Sequence, residues 1–329
     1  MKGALFALAT VLTWALMGVV NRYCVSKYGI NVLVFTSFLI FSGGVALLLI
    51  RERVNPENWK SGVHYSWLYT TMQMTKSFFM ISTYLYITTT ETSLLINIEV
   101  VLTYLMAYLF FKRVPHKREY WGIAVILIGF LLLIYSLPTA VRIPTAVLIL
   151  LAATASCIRS IVVEQTSRKS PETTVRQKCG ISGYTMFVGG TVLIVFFFGI
   201  ASITFLFGES LPKLFFFLNY LPQMTEMLNP ETVISGCLAG FFLNSASVYW
   251  FYAALKWTKS ETFMAFRVFQ PILTYTLELL AALFYAAMKP ELSTKDFFIG
   301  GIILLGSVLI LIVPSKTTRS EISKNFITE

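Results

Sequence analysis

The sequence predicts an all-α polytopic membrane protein with ten transmembrane helices. The chain has 329 residues, of which 56% are hydrophobic and only 13% are charged, and its mean hydropathy is +0.73. A soluble domain averages about 25% charged residues. Repeated apolar runs of about 18 residues or more are typical of membrane-spanning helices. Because these runs are continuous and do not alternate with polar residues, a β-barrel is not favoured.

Ten apolar segments of the chain are long enough to cross a bilayer. Most polar connections between them are short. The longest, at about 209–232, contains a Leu-Phe-Phe-Phe run that predicts an interfacial segment. The predicted spans are 3–21, 31–50, 65–87, 91–111, 119–136, 144–164, 181–208, 233–256, 261–287 and 296–314.

Lysine and arginine are distributed unequally between the two sides of the predicted bundle. Seventeen lie in loops and termini on the side of the amino terminus, and six lie on the opposite side. Cytoplasmic loops carry an excess of basic residues, so both termini are predicted to be cytoplasmic. This asymmetry accounts for most of the formal net charge of +10. We therefore expect no nucleic-acid partner.

Two nine-residue stretches indicate an internal repeat. Residues 96–104 and 267–275 both end in Leu-Thr-Tyr, and Glu99 and Gln270 each stand four residues before the threonine. Each half of the chain contains five predicted spans, an odd number, so the second half enters the membrane from the opposite side. The halves are therefore predicted to be inverted repeats. The predicted divisions are a first repeat at 1–138, a second repeat at 139–314 and a cytoplasmic tail at 315–329.

Five charged residues fall in the interior of predicted spans, away from the span ends, namely Lys76, Glu99, Arg159, Arg267 and Glu278. A charge at the bilayer centre costs about 2.5–3.5 kcal/mol on insertion scales. Such residues therefore face a partner, a cavity or water, and they are the main candidates for a functional site.

The ninth predicted span is the most informative. Arg267, Gln270, Thr274 and Glu278 form one helical stripe, and Pro271 interrupts the helical hydrogen bonds within it. A broken helix with a polar stripe offers free backbone groups and side chains to a ligand. The alternative is a kinked packing helix whose Arg267 reaches the membrane interface.

The fourth predicted span carries the corresponding polar face. Glu99 and Thr103 lie one helical turn apart. We expect Glu99 to pair with Lys76 or Arg159, to bind a substrate amine or to carry a coupling proton. A purely structural ion pair is the alternative. Since Val100 stands where the second copy has Pro271, we expect a broken helix only in the second copy.

Aromatic residues add a further group of candidates, because aromatic faces can hold a planar base or a cation. The alternative is that these residues pack between helices or form the interfacial belt. The complete predicted substrate-binding set is Trp14, Gln73, Lys76, Glu99, Thr103, Tyr104, Arg159, Asn244, Arg267, Gln270, Thr274, Tyr275 and Glu278.

The sequence contains no catalytic constellation, and we predict that the protein is not an enzyme. The four cysteines are scattered and the two histidines lie at helix ends, which predicts no metal site and no cofactor. Glycine pairs at 43–44 and 189–190 are typical of helix packing. The predicted partners are a small-molecule substrate and the lipid bilayer, with the chain as a monomer or homodimer.

Several motifs resemble a known family. They are Phe-Gln-Pro-Ile-Leu-Thr at 269–274, Ala-Ala-Leu at 253–255 and a glycine-rich last helix in each half. With the five-plus-five layout, they are similar to the drug/metabolite transporter superfamily, specifically its ten-helix EamA-like branch. The resemblance extends over nearly the whole chain. The first copy departs from it at Val100, where proline is expected, and in the turn at 111–115, which lacks the frequent glutamate.

The resemblance implies secondary transport by alternating access, with a central cavity between the halves and helices five and ten outside it. Members carry amino acids, nucleotide sugars, triose phosphates, drugs, choline or S-adenosylmethionine, and fold-level analogy does not choose among them. The three basic and two acidic residues inside the predicted spans favour a zwitterion. Its carboxylate would face Arg or Lys, and its amine or sulfonium would face Glu.

The sequence thus predicts a transporter of an amino-acid-like metabolite in a bacterial inner membrane. Exchange of S-adenosylmethionine for S-adenosylhomocysteine is the most specific form of this hypothesis. An organic-anion or nucleotide-sugar transporter is the alternative within the superfamily. A non-transporting scaffold or a lipid-modifying enzyme is the alternative from another class. Charges that line one cavity would favour transport, and charges paired in separate packed interfaces would favour a structural role.

Overall fold

Fourteen α-helices make up the part of the chain that the computed structural model describes, which is residues 2–53, 56–170, 172–207, 221–290 and 292–312. No strand occurs in these ranges. Seven helical segments in them are long and apolar enough to cross a membrane. The all-α polytopic membrane architecture is therefore confirmed, while the count of ten spans and the inverted repeat stay predictions.

The first half of the chain contains six helices. Asn31 caps the second of them, because its side chain accepts hydrogen bonds from the backbone N–H groups of Leu33 and Val34. A reciprocal capping box between Thr88 and Glu91 begins the fourth. The helices are α1 (Lys2–Tyr28), α2 (Val32–Leu49), α3 (Pro56–Thr83), α4 (Thr89–Leu95), α5 (Ile98–Phe111) and α6 (Lys117–Ser136).

The second half contains eight helices, together with a π-helical segment at Ala239–Asn244 and 3-10 turns at Phe266–Phe269 and Ala286–Met288. Most of the predicted interfacial segment, up to residue 220, and the whole predicted tail at 315–329 lie outside the described residues. The helices are α7 (Thr139–Lys169), α8 (Val175–Phe207), α9 (Met224–Met227), α10 (Pro230–Leu238), α11 (Ser245–Trp257), α12 (Ser260–Ala265), α13 (Gln270–Ala282) and α14 (Thr294–Ile312).

Both copies of the repeated element are broken helices. The first divides between α4 and α5, and the second divides at the 3-10 turn between α12 and α13. When the two Leu-Thr-Tyr endings are aligned, the breaks coincide. The expectation that the first copy lacks a break is therefore wrong. Asn97 supplies the reason, since its amide donates to the backbone carbonyls of Ser93 at 2.9 Å and Leu94 at 3.2 Å and competes with the helical pattern.

One glycine of each pair predicted as a packing signal lies where α2 meets α8. A Cβ added to Gly44 would stand 2.4 Å from the backbone nitrogen of Phe187, and one added to Gly190 would stand 2.6 Å from the backbone of Phe41. No side chain larger than hydrogen fits at that separation. The two helices therefore approach backbone to backbone, as in other membrane helix pairs with small residues at the interface.

Replacing Gly44 with alanine is expected to destabilise the protein by about 1–3 kcal/mol, since the new methyl group must push rigid backbone apart. Gly199 on α8 is the matched control, because an added Cβ there meets nothing within 4 Å. Thermal unfolding in detergent should show a lower melting temperature for Gly44→Ala and an equal or higher one for Gly199→Ala. Equal loss in both variants would contradict the close-packing assignment.

The last helices of the two halves, α6 and α14, pack against each other. A Cβ added to Gly122 would lie 2.7 Å from the carbonyl oxygen of Gly306. Neither helix contributes a residue to the central cavity described below. The functional site is thus built from the other helices.

Candidate functional site

Three cationic side chains meet around one buried indole ring in the middle of the bundle. The Nζ atom of Lys76 lies 4.2 Å from the ring centroid of Trp14, and the guanidinium carbons of Arg267 and Arg159 lie 4.7 and 5.4 Å from it. The four residues come from α1, α3, α7 and the 3-10 turn before α13. Contacts of this kind are attractive through the ring quadrupole, and more strongly when water is excluded.

Each of the three guanidinium nitrogens of Arg267 has a hydrogen-bond partner. Its Nη1 atom pairs with the carboxylate of Glu99, while Nε and Nη2 donate to the side-chain oxygen of Gln270 at 3.0 and 2.9 Å. Arg267 is 1% exposed and Glu99 is fully buried. The expectation that Glu99 pairs with Lys76 or Arg159 is therefore wrong. The coincident helix breaks bring the first turn of α5 against the 3-10 turn that carries the arginine.

Arg159 has a different environment. Its Nη1 atom donates to the side-chain oxygen of Gln73, whose amide donates in turn to Asn244 at 2.9 Å. Its Nε and Nη2 atoms make no hydrogen bond within the described ranges, although the guanidinium is buried. The ring of Phe251 lies 4.4 Å from its guanidinium carbon. The ring of Tyr69 lies 5.9 Å from the same carbon.

Lys76 makes no ion pair or hydrogen bond with any side chain that the structure describes. Its Nζ atom contacts the face of the Trp14 ring. The cluster therefore holds three basic side chains and one acidic side chain, an excess of two basic groups. Burying an unpaired charge is costly. The excess predicts that water or a ligand with negative charge completes this site.

A small cavity separates these side chains. It is lined by six of the predicted residues and offers about 30 Å³ to the centres of water molecules, which is room for about two waters and too little for a metabolite. The site is closed in this structure. The six predicted residues that line it are Trp14, Gln73, Lys76, Arg159, Arg267 and Gln270.

Three polar residues of the cavity wall were not among the predicted site residues. Asn21 and Ser77 line it, as does Tyr84 at the end nearest the loop after α3. Helical spacing could have indicated the first two, since Asn21 lies two turns from Trp14 and Ser77 lies one turn from Gln73. Tyr84 follows the end of α3 at Thr83, so no helical stripe could place it.

Two predicted residues on α5 point elsewhere. The hydroxyl of Thr103 lies 3.2 Å from the Sγ atom of Cys157 in a packed interface with α7. Tyr104 donates to the carboxylate of Glu119 at 3.2 Å. Neither lines the central cavity, and their role in substrate binding stays a prediction.

Thr274 and Tyr275 on α13 also lie outside the cavity wall. Thr274 shares a hydrogen bond of 2.8 Å with Ser93 on α4. The ring of Tyr275 packs edge-on against Phe297 on α14, with centroids 5.5 Å apart. These contacts join the two broken helices to each other and to the peripheral pair.

Glu278, the last of the predicted residues, belongs to a separate ion-pair network, here called the Arg22 network. Its carboxylate pairs with Arg22 and accepts the backbone N–H groups of Thr89 at 2.9 Å and Thr90 at 3.1 Å, which begin α4. Arg22 also donates to the carbonyl oxygen of Met288 at 3.2 Å. A carboxylate at a helix amino terminus is favoured by the helix dipole. This network ties the first half of the chain to the second.

A second network, the Arg113 network, also joins the two halves. Arg113 pairs with Glu164 and, at 2.6 Å, with Glu261. The carboxylate of Glu164 accepts the backbone N–H of Ser260 at 3.0 Å, at the start of α12. Burial acts to lower the pKa of Arg113, but its hydrogen bonds to the two carboxylates raise that pKa above its ordinary value. The arginine therefore stays charged.

The two networks lie at opposite ends of α1. The amino-terminal end of α1 packs near the Arg113 network, because Gly3 is in contact with Thr258, just before Ser260. Arg22 stands close to the other end of the same helix. At about 1.5 Å per residue, Gly3 and Arg22 lie about 28 Å apart along the helix. Trp14 and the central cavity lie between them.

A vestibule adjoins each network. One of 340 Å³ is lined by Arg113, Glu261 and Tyr104, and another of 430 Å³ is lined by Arg22 and Tyr84. Tyr84 lines both the second vestibule and the central cavity. The order along the bundle is therefore vestibule, ion-pair network, closed cavity, ion-pair network and vestibule.

The described part of the chain is thus a helical bundle with candidate membrane spans around a small cavity lined by charged residues. Comparison with known proteins supports the resemblance over part of the chain. A sequence model of the EamA-like transporter family, part of the drug/metabolite transporter superfamily, matches residues 1–135. The resemblance read from the sequence is therefore confirmed over these residues. The match falls on the half whose broken helix lacks the expected proline.

A solved structure shares the fold. It is described only as the crystal structure of a protein, and it superposes with a TM-score of 0.56 at 13% sequence identity over 94% of this chain and 96% of its own. At that identity the similarity concerns the fold alone. No curated protein matches the sequence significantly.

Proposed function

We propose that this protein is a secondary transporter that moves a small charged metabolite across a membrane by alternating access. The observation that carries the proposal is the convergence of Lys76, Arg159 and Arg267 on one closed cavity between two ion-pair networks. Charges that served only packing would be paired in separate interfaces. Here three cations share one cavity, and a vestibule adjoins each closed end.

The proposed architecture is two inverted repeats of five spans with both termini in the cytoplasm of a bacterium. The contact between the broken helices supports it. Thr274 meets Ser93, while Glu278 meets Thr89 and Thr90, so α13 runs antiparallel to α4. Inverted repeats produce such crossed pairs around a midplane site. Movement of one half against the other would open one network while the other stays closed.

The substrate is proposed to be a small organic metabolite with at least one anionic group. An amino-acid-like zwitterion, with exchange of S-adenosylmethionine for S-adenosylhomocysteine as its most specific form, requires a partner for its amine or sulfonium. The free Oε1 atom of Glu99 is the available acceptor, although Glu99 does not line the closed cavity. An organic anion or nucleotide sugar requires no such partner, and the charge excess of the cluster favours it.

Uptake into liposomes tests the proposal. The purified full-length chain is reconstituted and offered labelled amino acids, nucleotides, nucleotide sugars and S-adenosylmethionine, each with and without a proton gradient and with unlabelled solute inside. We expect saturable uptake of at least one anionic or zwitterionic solute above protein-free liposomes. Dependence on internal solute would indicate exchange, and dependence on the gradient would indicate proton coupling.

A scaffold or lipid-modifying enzyme remains the alternative from another class. Such a protein would show no saturable uptake of any solute at equal protein insertion. It would also tolerate disulfide cross-links across both end networks, whereas a transporter requires each network to open in turn.

A further inference from the structure

We propose that Arg159 and Lys76 form an anion subsite, which holds a carboxylate or phosphate group of the substrate, whereas Arg267 does not bind substrate directly. The inference rests on the proposed transport function and names the part of the cavity that selects the ligand. It depends on which cations in the cluster already have partners.

Each of the three guanidinium nitrogens of Arg267 already donates one hydrogen bond, which leaves two of its five N–H groups unused. The acceptors of these three bonds are the side chains of Glu99 and Gln270. The charge of Arg267 is neutralised by a carboxylate that is fully buried. Binding a substrate anion here would require breaking a buried ion pair. Arg267 with Glu99 is therefore a structural pair that holds the two helix breaks together.

Arg159 has fewer hydrogen bonds than Arg267. Two of its donor nitrogens, Nε and Nη2, have no hydrogen-bond partner in the described ranges, and the residue is 1% exposed. It lines the central cavity together with Lys76. A guanidinium presents paired donors that match the two oxygens of a carboxylate or phosphate. When the cavity widens and an anion enters, the anion would accept hydrogen bonds from these donors and offset the excess positive charge.

Trp14 is assigned to holding the cations and not to stacking on the substrate. Its ring already carries Lys76 and Arg267 at 4.2 and 4.7 Å from its centroid. The edges pack against Phe251 and Phe263, with centroids 5.9 and 5.7 Å away. Little of the ring is left for a planar base. Selectivity is thus expected to depend on the anionic group more than on an aromatic part of the substrate.

Binding to matched solute pairs tests the subsite. The full-length protein in detergent is melted with L-leucine or leucinamide, lactate or lactamide, and uridine monophosphate or uridine. The members of each pair differ in their carboxylate or phosphate group, so the arms separate the two anion sources. We expect an anionic member to raise the melting temperature while its neutral counterpart does not, since ligand binding stabilises the folded state.

Substitutions identify the residues responsible. Arg159→Gln is expected to weaken the anion about 10- to 100-fold, Arg159→Lys to retain part of the affinity, and Lys76→Gln to weaken it similarly. Arg142→Gln is the control, since Arg142 donates to backbone carbonyls of Tyr135 and Leu137, away from the cavity. Stabilisation by neutral members alone, or anion binding that survives Arg159→Gln, would overturn the proposal.

A ligand-free measurement decides the case in which no solute of the panel binds. If Arg159 keeps unpaired donors for a ligand, Arg159→Met should melt at the same temperature as wild type or higher. A markedly lower melting temperature would mean that Arg159 serves the fold, and the subsite would be rejected. If only the transport proposal fails, the protein will bind an anion in an Arg159-dependent way but will show no uptake into liposomes.

Discussion

Replacing Arg267 with methionine is expected to destabilise the protein by about 3–5 kcal/mol, because Glu99 is then left as an unpaired charge in the bundle centre. Glu99→Gln is also expected to destabilise the protein, since it leaves Arg267 as a buried charge without a carboxylate partner. The double variant Arg267→Met with Glu99→Met should recover most of the loss. Well-packed apolar residues often replace a buried ion pair at little cost.

The protein contains its own reporters for this measurement. Cys24, Cys157 and Cys179 are buried, so a thiol-reactive dye detects their exposure as the bundle unfolds. The double-mutant cycle isolates the energy of the pair. Losses that simply add in the double variant would contradict a direct interaction. Arg159 lines the same cavity and has no carboxylate partner among the described residues, so Arg159→Met serves as the comparison.

Replacing Glu278 with glutamine is expected to open the Arg22 end of the cavity. The substitution removes the partner of a buried arginine and weakens the cap on α4. A loss of about 2.8 kcal/mol in the closed state corresponds to about a 100-fold change in the closed-to-open ratio. Ser77→Cys supplies a reporter in the cavity wall. Labelling of this thiol by an impermeant reagent should rise from the membrane side on which the Arg22 network lies.

The other end provides the matched experiment. Glu164→Gln removes the shared partner of Arg113 and the cap on α12. It should raise labelling of the same reporter from the membrane side on which the Arg113 network lies. Glu231→Gln, at an exposed helix start, is the control, and protein without the reporter measures background. Equal labelling from both sides in both variants would reject the assignment of the networks as gates.

The charged residues of the central cluster could be predicted because the bilayer makes polar residues costly. Few polar side chains occur in the apolar segments, so each one carries information. Lys76, Arg159, Arg267 and Gln73 were all identified this way, and all line one cavity. The same reasoning included Thr103 and Tyr275, which instead face packed interfaces. Helical spacing assigns a face to a residue but does not say what that face meets.

The break in the first copy shows a second limit. Proline is a local signal with a known effect on the helix, and its absence suggested a continuous span. Asn97 produces the break by bonding to carbonyls of the preceding turn. An asparagine has many other uses in a membrane helix. Its role depends on the neighbouring helices, which the sequence does not specify locally.

By itself, the sequence determined the all-helical membrane class, the resemblance to EamA-like transporters and the set of intramembrane charges. These follow from composition, periodicity and the cost of burying charge. The tertiary structure decided which charges neutralise each other. It paired Arg267 with Glu99 and Arg22 with Glu278, leaving Arg159 and Lys76 without a carboxylate. Pairing depends on distances of a few ångströms between residues far apart in the chain, and such distances exist only after the helices have packed.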